Sequence, residues 1–458
     1  MELEYKAKYA FEEVDEKEKE LIFSFSEGYK DFLNFALTER RCVEIGVKAA
    51  EEKGFKPLSH FKKLKAGDRV YCVNRGKNLI LAVIGKEDIE QGVNMLGAHI
   101  DSPRLDLKPM PLYDDSKIAY LKTHYYGGIK KYQWTSIPMG LYGKVITKDG
   151  EVDIAVDGED FALVISDLLP HLAGEQMGKT LRTGVEGEQL NLIIGSSTEK
   201  TEDSLKLCIL RLLNEKYGIV EEDFISSELE AVPAIKARDI GFDRSIVGGY
   251  GQDDIVCAYT GMQAIFDFVK KPQKTAVCVW ADKEEIGSMG NTGMKSRFTE
   301  NVLAEMILLQ KGEYNELALK HCLSNTTCIS ADVAAAYDPS FPGPFEKSNS
   351  AFLGRGVVME KYVGAGGKSG SNDASAELMG DIRKMLNKGG VVWQAGELGK
   401  VDGGGGGTVS QFVANLNSNV IDSGVALLSM HSPFELASKG DVYMTYKAYR
   451  VFFDTFGK

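Results

Sequence analysis

With 458 residues, 43% hydrophobic and 26% charged, the chain has the composition of a folded globular protein and enough length for two or three domains and a large core, which argues against a disordered chain. The formal net charge of -12, from 54 Lys and Arg against 66 Asp and Glu, repels phosphate backbones and anionic membrane surfaces and argues against nucleic acid or a membrane as partner. Seven cysteines without a CxxC pair, and no apolar run near the ~18 residues of a membrane span, predict buried thiols in a reducing, cytoplasmic setting.

Helical spacing of apolar residues between Glu16 and Lys53 predicts two N-terminal helices, followed by strands at 69–73, 79–84 and 93–96. The last of these delivers His99 to a loop. The interval from Leu105 to Ala237 differs: short strand candidates at 118–121 and 141–146 and a polar, Gly-rich stretch at 174–188 predict a β-rich second domain inserted into the first. Beyond it, helices at 258–270, 300–311 and 374–386 alternate with strands at 276–281, 327–330, 356–359 and 390–393. That alternation predicts an α/β fold, an α/β/α sandwich around a mainly parallel sheet, with domains at 1–104, 105–237 and 238–458. Gly403 to Gly407 lacks the context of a phosphate loop and is read as a flexible loop before a helix opened by Thr408.

Metal-ligating residue types recur where apolar stretches end: His99 and Asp101, Asp253-Asp254, Glu284-Glu285, Asp332 and His431. Singly, each has an ordinary structural reading, as a hydrogen-bonded histidine, a solvated charge pair or a helix cap. Jointly, at the strand-to-loop junctions of an α/β chain, they point to a metal site, because ligands gather at the carboxyl ends of such strands. His99, Asp253, Glu285, Asp332 and His431 supply two imidazoles, two terminal carboxylates and one candidate bridge, a complement for two divalent ions. Strand alternation puts His99 and Asp101 on one side, so Asp101 is expected to orient the imidazole. Adjacent Glu284 and Glu285 cannot easily point the same way, so Glu285 is expected to ligate and Glu284 to act as general base toward a metal-activated water.

Four motifs, Gly97-Ala-His-Ile-Asp-Ser-Pro-Arg-Leu105, Asp282-Lys-Glu-Glu-Ile-Gly-Ser288, Ser330-Ala-Asp332 and Met430-His-Ser-Pro433, closely resemble those of the aspartyl aminopeptidase family, dinuclear zinc peptidases that assemble as tetrahedral dodecamers. The resemblance runs over nearly the whole chain. It implies that His99 and Asp332 hold one metal, Glu285 and His431 the other, and that Asp253 bridges them; the family's Arg-Leu-Asp-Asn is Gly251-Gln-Asp-Asp254 here, and counting back from Gln263 favours Asp253 over Asp254. It further implies that His171, in Leu169-Pro-His-Leu172, reaches a neighbouring subunit's active site, and that Lys361 lies near the substrate. After Tyr126-Gly-Gly the chain departs from the family pattern, which bears on oligomer contacts and substrate preference.

The expectation is therefore a cytoplasmic, homo-oligomeric aminopeptidase with two divalent ions, zinc before cobalt or manganese, acting on peptides with acidic N-termini. The rival readings are another dinuclear zinc amidohydrolase, such as a deacylase, and a non-catalytic peptide-binding scaffold, which would have lost ligands.

Overall fold

The computed structural model describes residues 3–197, 204–268 and 271–457. They form two compact units, one of Met1–Asp101, Ala237–Met430 and Glu435–Lys458, the other of Ser102–Lys236 and His431–Phe434. The fold is mixed α/β with three sheets.

In the first unit a nine-stranded sheet is built from β1 (Lys56–Pro57), β2 (Arg69–Asn74), β3 (Asn78–Val83), β4 (Asn94–His99), β5 (Ala276–Ala281), β6 (Thr327–Ser330), β7 (Val357–Glu360), β8 (Trp393–Ala395) and β9 (Asn419–Gly424), in the order β1-β2-β3-β5-β4-β6-β9-β7-β8. The central run β5, β4, β6 and β9 is parallel, whereas β3 pairs antiparallel with β5 and β7 antiparallel with β9. The sheet is thus mixed, and its centre is parallel.

The central strands are apolar at nearly every position because both of their faces are covered. Leu79, Leu81, Leu96, Ala98, Cys278 and Trp280 enter one core with the helices Glu16–Phe35, Glu39–Glu52, Gln252–Phe266 and Lys439–Thr455. Their alternate neighbours Ile80, Ala82, Met95, Val277 and Val279 enter a second core with the helices Phe298–Lys311, Glu316–Asn325 and Ser410–Ala414. The first two helices open with side-chain caps, Asp15 accepting from Glu18 N at 2.8 Å and Thr38 from Arg41 N at 3.4 Å. The helix expected over 258–270 begins earlier and runs Gln252–Phe266; Val269 and Lys270 lie outside the described residues. A five-stranded sheet of short strands, Arg238–Ile240, Ile246–Gly249, Glu435–Ser438, Ala426–Leu428 and Ala334–Ala335, completes this unit.

The second unit carries a six-stranded antiparallel sheet, in spatial order Gly150–Val156, Met139–Thr147, Ser227–Pro233, Arg104–Asp115, Ile118–Tyr126 and Leu192–Gly195, with the helix Leu205–Tyr217 packed on the strands Arg104–Asp115 and Ile118–Tyr126. Among the described residues no helix is long and apolar enough to cross a membrane.

Candidate metal centre

The neighbouring parallel strands β5, β4 and β6 end along one edge of the sheet, and each leads into a candidate ligand. His99 closes β4, Glu284 and Glu285 follow β5 in a short turn, and Asp332 lies two residues past β6. Asp253 and Asp254 stand at the start of Gln252–Phe266, where Gly251 takes a φ of 72° and both aspartates leave helical dihedrals; the peptide bond between them is cis.

His99 is 1% exposed, and its two ring nitrogens have distinct roles. Nδ1 lies 2.9 Å from the carbonyl oxygen of Asp101, which can only accept, so Nδ1 carries the proton. Nε2 then presents a lone pair, yet it lies 3.1 Å from Asp253 Oδ1 and 3.9 Å from Asp332 Oδ1. One atom each of His99, Asp253 and Asp332 falls within 4.8 Å of the others, and Asp253 and Glu285 meet the same limit. Acceptors converging deep in the protein call for a cation or a proton between them. Imidazole nitrogen and carboxylate oxygen are zinc donors, so these residues fit that ion.

The charges express the same crowding. Burial opposes the imidazolium of His99, but hydrogen bonds to Asp101 and Asp253 and the charge of Asp332 outweigh it and raise the group well above its ordinary value. Burial raises Asp332 and Asp254 well above the usual carboxylate range; His99 lowers both, and the neighbouring carboxylates add to the rise. Glu284 is among the charges acting on Asp332.

Asp101 differs from the sequence expectation in detail. The chain leaves the strand at His99, so the Asp101 carbonyl accepts the hydrogen bond from His99 Nδ1, with the carboxylate 3.4 Å away. The carboxylate oxygens accept instead from Glu284 N at 3.1 Å and Glu285 N at 3.2 Å, fixing the turn that carries both glutamates. That turn is bounded by Lys283 (φ 67°) and Gly287 (φ 94°), both left-handed.

His431 falls in the short piece His431–Phe434 grouped with the second unit, where its Nδ1 donates to the Gly128 carbonyl at 2.8 Å and leaves Nε2 as the lone-pair nitrogen. His171 is exposed in the second unit, beside a cavity of about 660 Å³ also lined by Thr135, Asp167 and Gln176. Lys361 pairs with Asp373, which Lys368 also approaches at 3.1 Å, so its ammonium is already matched.

Sequence reasoning missed the supporting roles of Glu435 and Asp282, and named Asp254 only as the alternative bridge. Asp254 accepts from His99 N at 3.3 Å, Glu435 accepts from Asp253 N at 3.1 Å, and Asp282 accepts from Thr292 Oγ1 at 2.6 Å behind the glutamate turn. Asp282 and Glu435 each stand inside or beside a motif already singled out, which was the available signal.

An α/β scaffold that gathers imidazole and carboxylate donors at the carboxyl edge of its sheet, with a further glutamate alongside, defines a metallohydrolase. Residues 32–453 match the model of the family described as Aminopeptidase I zinc metalloprotease (M18). A probable M18 family aminopeptidase 1 of Clostridium acetobutylicum is 49% identical over 97% of both chains. The crystal structure of an M18 aminopeptidase from Thermotoga maritima superposes with a TM-score of 0.94 at 44% identity, covering 98% of this chain and 100% of that one. A more distant structure, a yeast mApe1 dodecamer, shares the fold with a TM-score of 0.75 at 19% identity, over 94% and 96% of the two chains. The chain belongs to the M18 family of zinc metalloaminopeptidases.

Proposed function

We propose that this M18 peptidase removes acidic residues, Asp or Glu, from peptide N-termini, using two zinc ions and Glu284 as general base. The observation that carries the reading is the convergence of His99 Nε2 with Asp253 and Asp332, a buried set of acceptors that a cation would reconcile. His99 and Asp332 would hold one ion, Glu285 and His431 the other, with Asp253 shared; cobalt and manganese suit the same donors. Zinc in such a set lowers the pKa of water toward neutrality and polarises a carbonyl. Support for His431 is covalent, since it follows Met430, whose side chain packs on the first unit's core.

In this reading Glu284 takes a proton from the attacking water and returns it to the leaving amine. Asp101 positions both glutamates through their backbone amides. Lys361 would meet the acidic side chain after exchange from Asp373, and His171 would act on the site of a neighbouring copy. A specific observation favours a second preference: Ile286 and Met289, 49% and 59% exposed beside the glutamate turn, offer apolar surface suited to an apolar N-terminal side chain.

Initial rates on Asp-, Leu- and Lys-aminoacyl substrates separate the two. The acidic reading expects kcat/KM to be highest for Asp and to fall for Asp alone in Lys361→Met. A clear lead for Leu or Lys contradicts it.

The α/β/α catalytic domain, 1–104 and 238–458, is interrupted by an oligomerisation domain at 105–237, a division supported by the grouping of contacts along the chain. A homo-dodecamer is supported by the motif resemblance and by the exposure of Leu207 and Leu212 on the helix Leu205–Tyr217. A cytoplasmic location is supported by seven free cysteines.

A further inference from the structure

Away from the zinc ligands, the sheet brings two acids together without a base. Glu360 of β7 and Ser330 of β6 are both paired in register with Asp422 of β9, the strand between them. Residues paired across adjacent strands project from the same face, so the two carboxyl groups and the hydroxyl form one row about a strand spacing apart. The helix Ser410–Ala414 packs on β6 and β9, and the segment leading into it adds Thr408, whose Oγ1 donates to Asp422 Oδ1 at 2.6 Å and meets Ser410 Oγ at 2.7 Å.

The row is sealed from solvent: Glu360 is 4% exposed and Asp422 1%. Asp422 Oδ2 and Glu360 Oε1 are both buried without a hydrogen-bond partner. Lys361, the nearest cation in sequence, is engaged by Asp373. Two buried carboxylate oxygens on neighbouring strands, each without a hydrogen-bond partner, are costly while ionised. Burial, the charge of Asp422 and that of Glu397 push Glu360 up to about 8, and burial raises Asp422 against the hydroxyls of Thr408, Ser330 and Ser410 that lower it.

We propose that Glu360 and Asp422, with the Ser330 hydroxyl, form a structural site for a hard divalent cation, magnesium or calcium, separate from the catalytic zinc ligands. The donors are all oxygen, with no imidazole or thiolate among them, which suits those ions better than zinc. The two carboxylates balance a double charge. Thr408, itself bonded to Ser410, holds one oxygen of Asp422 and leaves the other for the ion. Bound there, the ion would tie β6, β9 and β7 together just behind the strand end that carries Asp332.

The test uses the full-length protein saturated with zinc, at a pH above 8, where both acids ionise at least cost. Thermal unfolding is followed against magnesium or calcium chloride, with sodium chloride at equal ionic strength as control, and the bound metal of dialysed protein is counted by elemental analysis. Expected is a saturable rise in Tm with the divalent ion, and about one magnesium or calcium per chain beyond the zinc. In Glu360→Gln and in Asp422→Asn the midpoint of that rise should move at least ~10-fold higher. No divalent-dependent rise, a rise equal in sodium, or an unchanged midpoint in both variants would overturn the site and leave a proton shared between the two acids. If the variants fail to fold, the count on the wild-type protein decides: a zero beyond zinc overturns the proposal.

Discussion

Glu284→Gln is expected to keep the zinc content of the parent enzyme and to lower kcat by about 10²–10⁴-fold, the range contributed by a positioned base. The substitution changes no shape. The turn is held through the backbone amides of Glu284 and Glu285 on the Asp101 carboxylate, and glutamine leaves both hydrogen bonds in place. What it removes is basicity next to the donor set, where the charge of Glu284 already reaches Asp332. In barrier height the loss is about 3–5 kcal/mol. Steady-state rates on an aminoacyl amide, paired with zinc analysis of the same sample, check it. A fully active variant would move the proton transfer to another group.

Asp253→Ala is expected to have the largest effect on metal binding of any single substitution in the site. Its side chain is 5% exposed, lies 3.1 Å from His99 Nε2 and comes within 4.8 Å of both Asp332 and Glu285. Its removal withdraws a donor from both proposed ions at once. Zinc affinity should fall by more than the roughly 10–100-fold typical of losing a residue that only orients a ligand, which is the loss expected for Asp101→Asn. The metal-free variant should at the same time unfold no more easily than the metal-free parent. Asp253 contributes repulsion to both Asp254 and Asp332, and the alanine relieves it. Competition with a chelator gives the affinity and calorimetry of stripped protein gives the stability. Retained zinc with lowered stability would make Asp253 a structural aspartate.

The positions of the candidate ligands at strand ends were legible in the chain because the physics is local. A short apolar run bounded by turn residues is consistent with a strand covered on both faces, and its end marks the sheet edge, at His99 and just before Asp332 and the Glu284-Glu285 pair. Asp253 was legible as an acid opening a helix.

What was hidden depends on the path of the chain between elements. Periodicity put Asp101 on the imidazole by its side chain, but the strand ends at His99 and the carbonyl takes that part while the carboxylate turns to the glutamate amides. The short strands of the five-stranded sheet, two to four residues each, are too brief to show a period. Lys361 and Asp373 meet across a Gly-rich loop, and the row Ser330, Asp422 and Glu360 exists only through strand pairing. Neither is written in spacing.

Whether two zinc ions share Asp253 is decided by anomalous diffraction at the zinc edge from crystals of the zinc-saturated enzyme. The account predicts two peaks flanking the Asp253 carboxylate, one beside His99 and Asp332 and the other beside Glu285 and His431. A single peak, or a pair in which His431 or Asp332 touches neither ion, would contradict it.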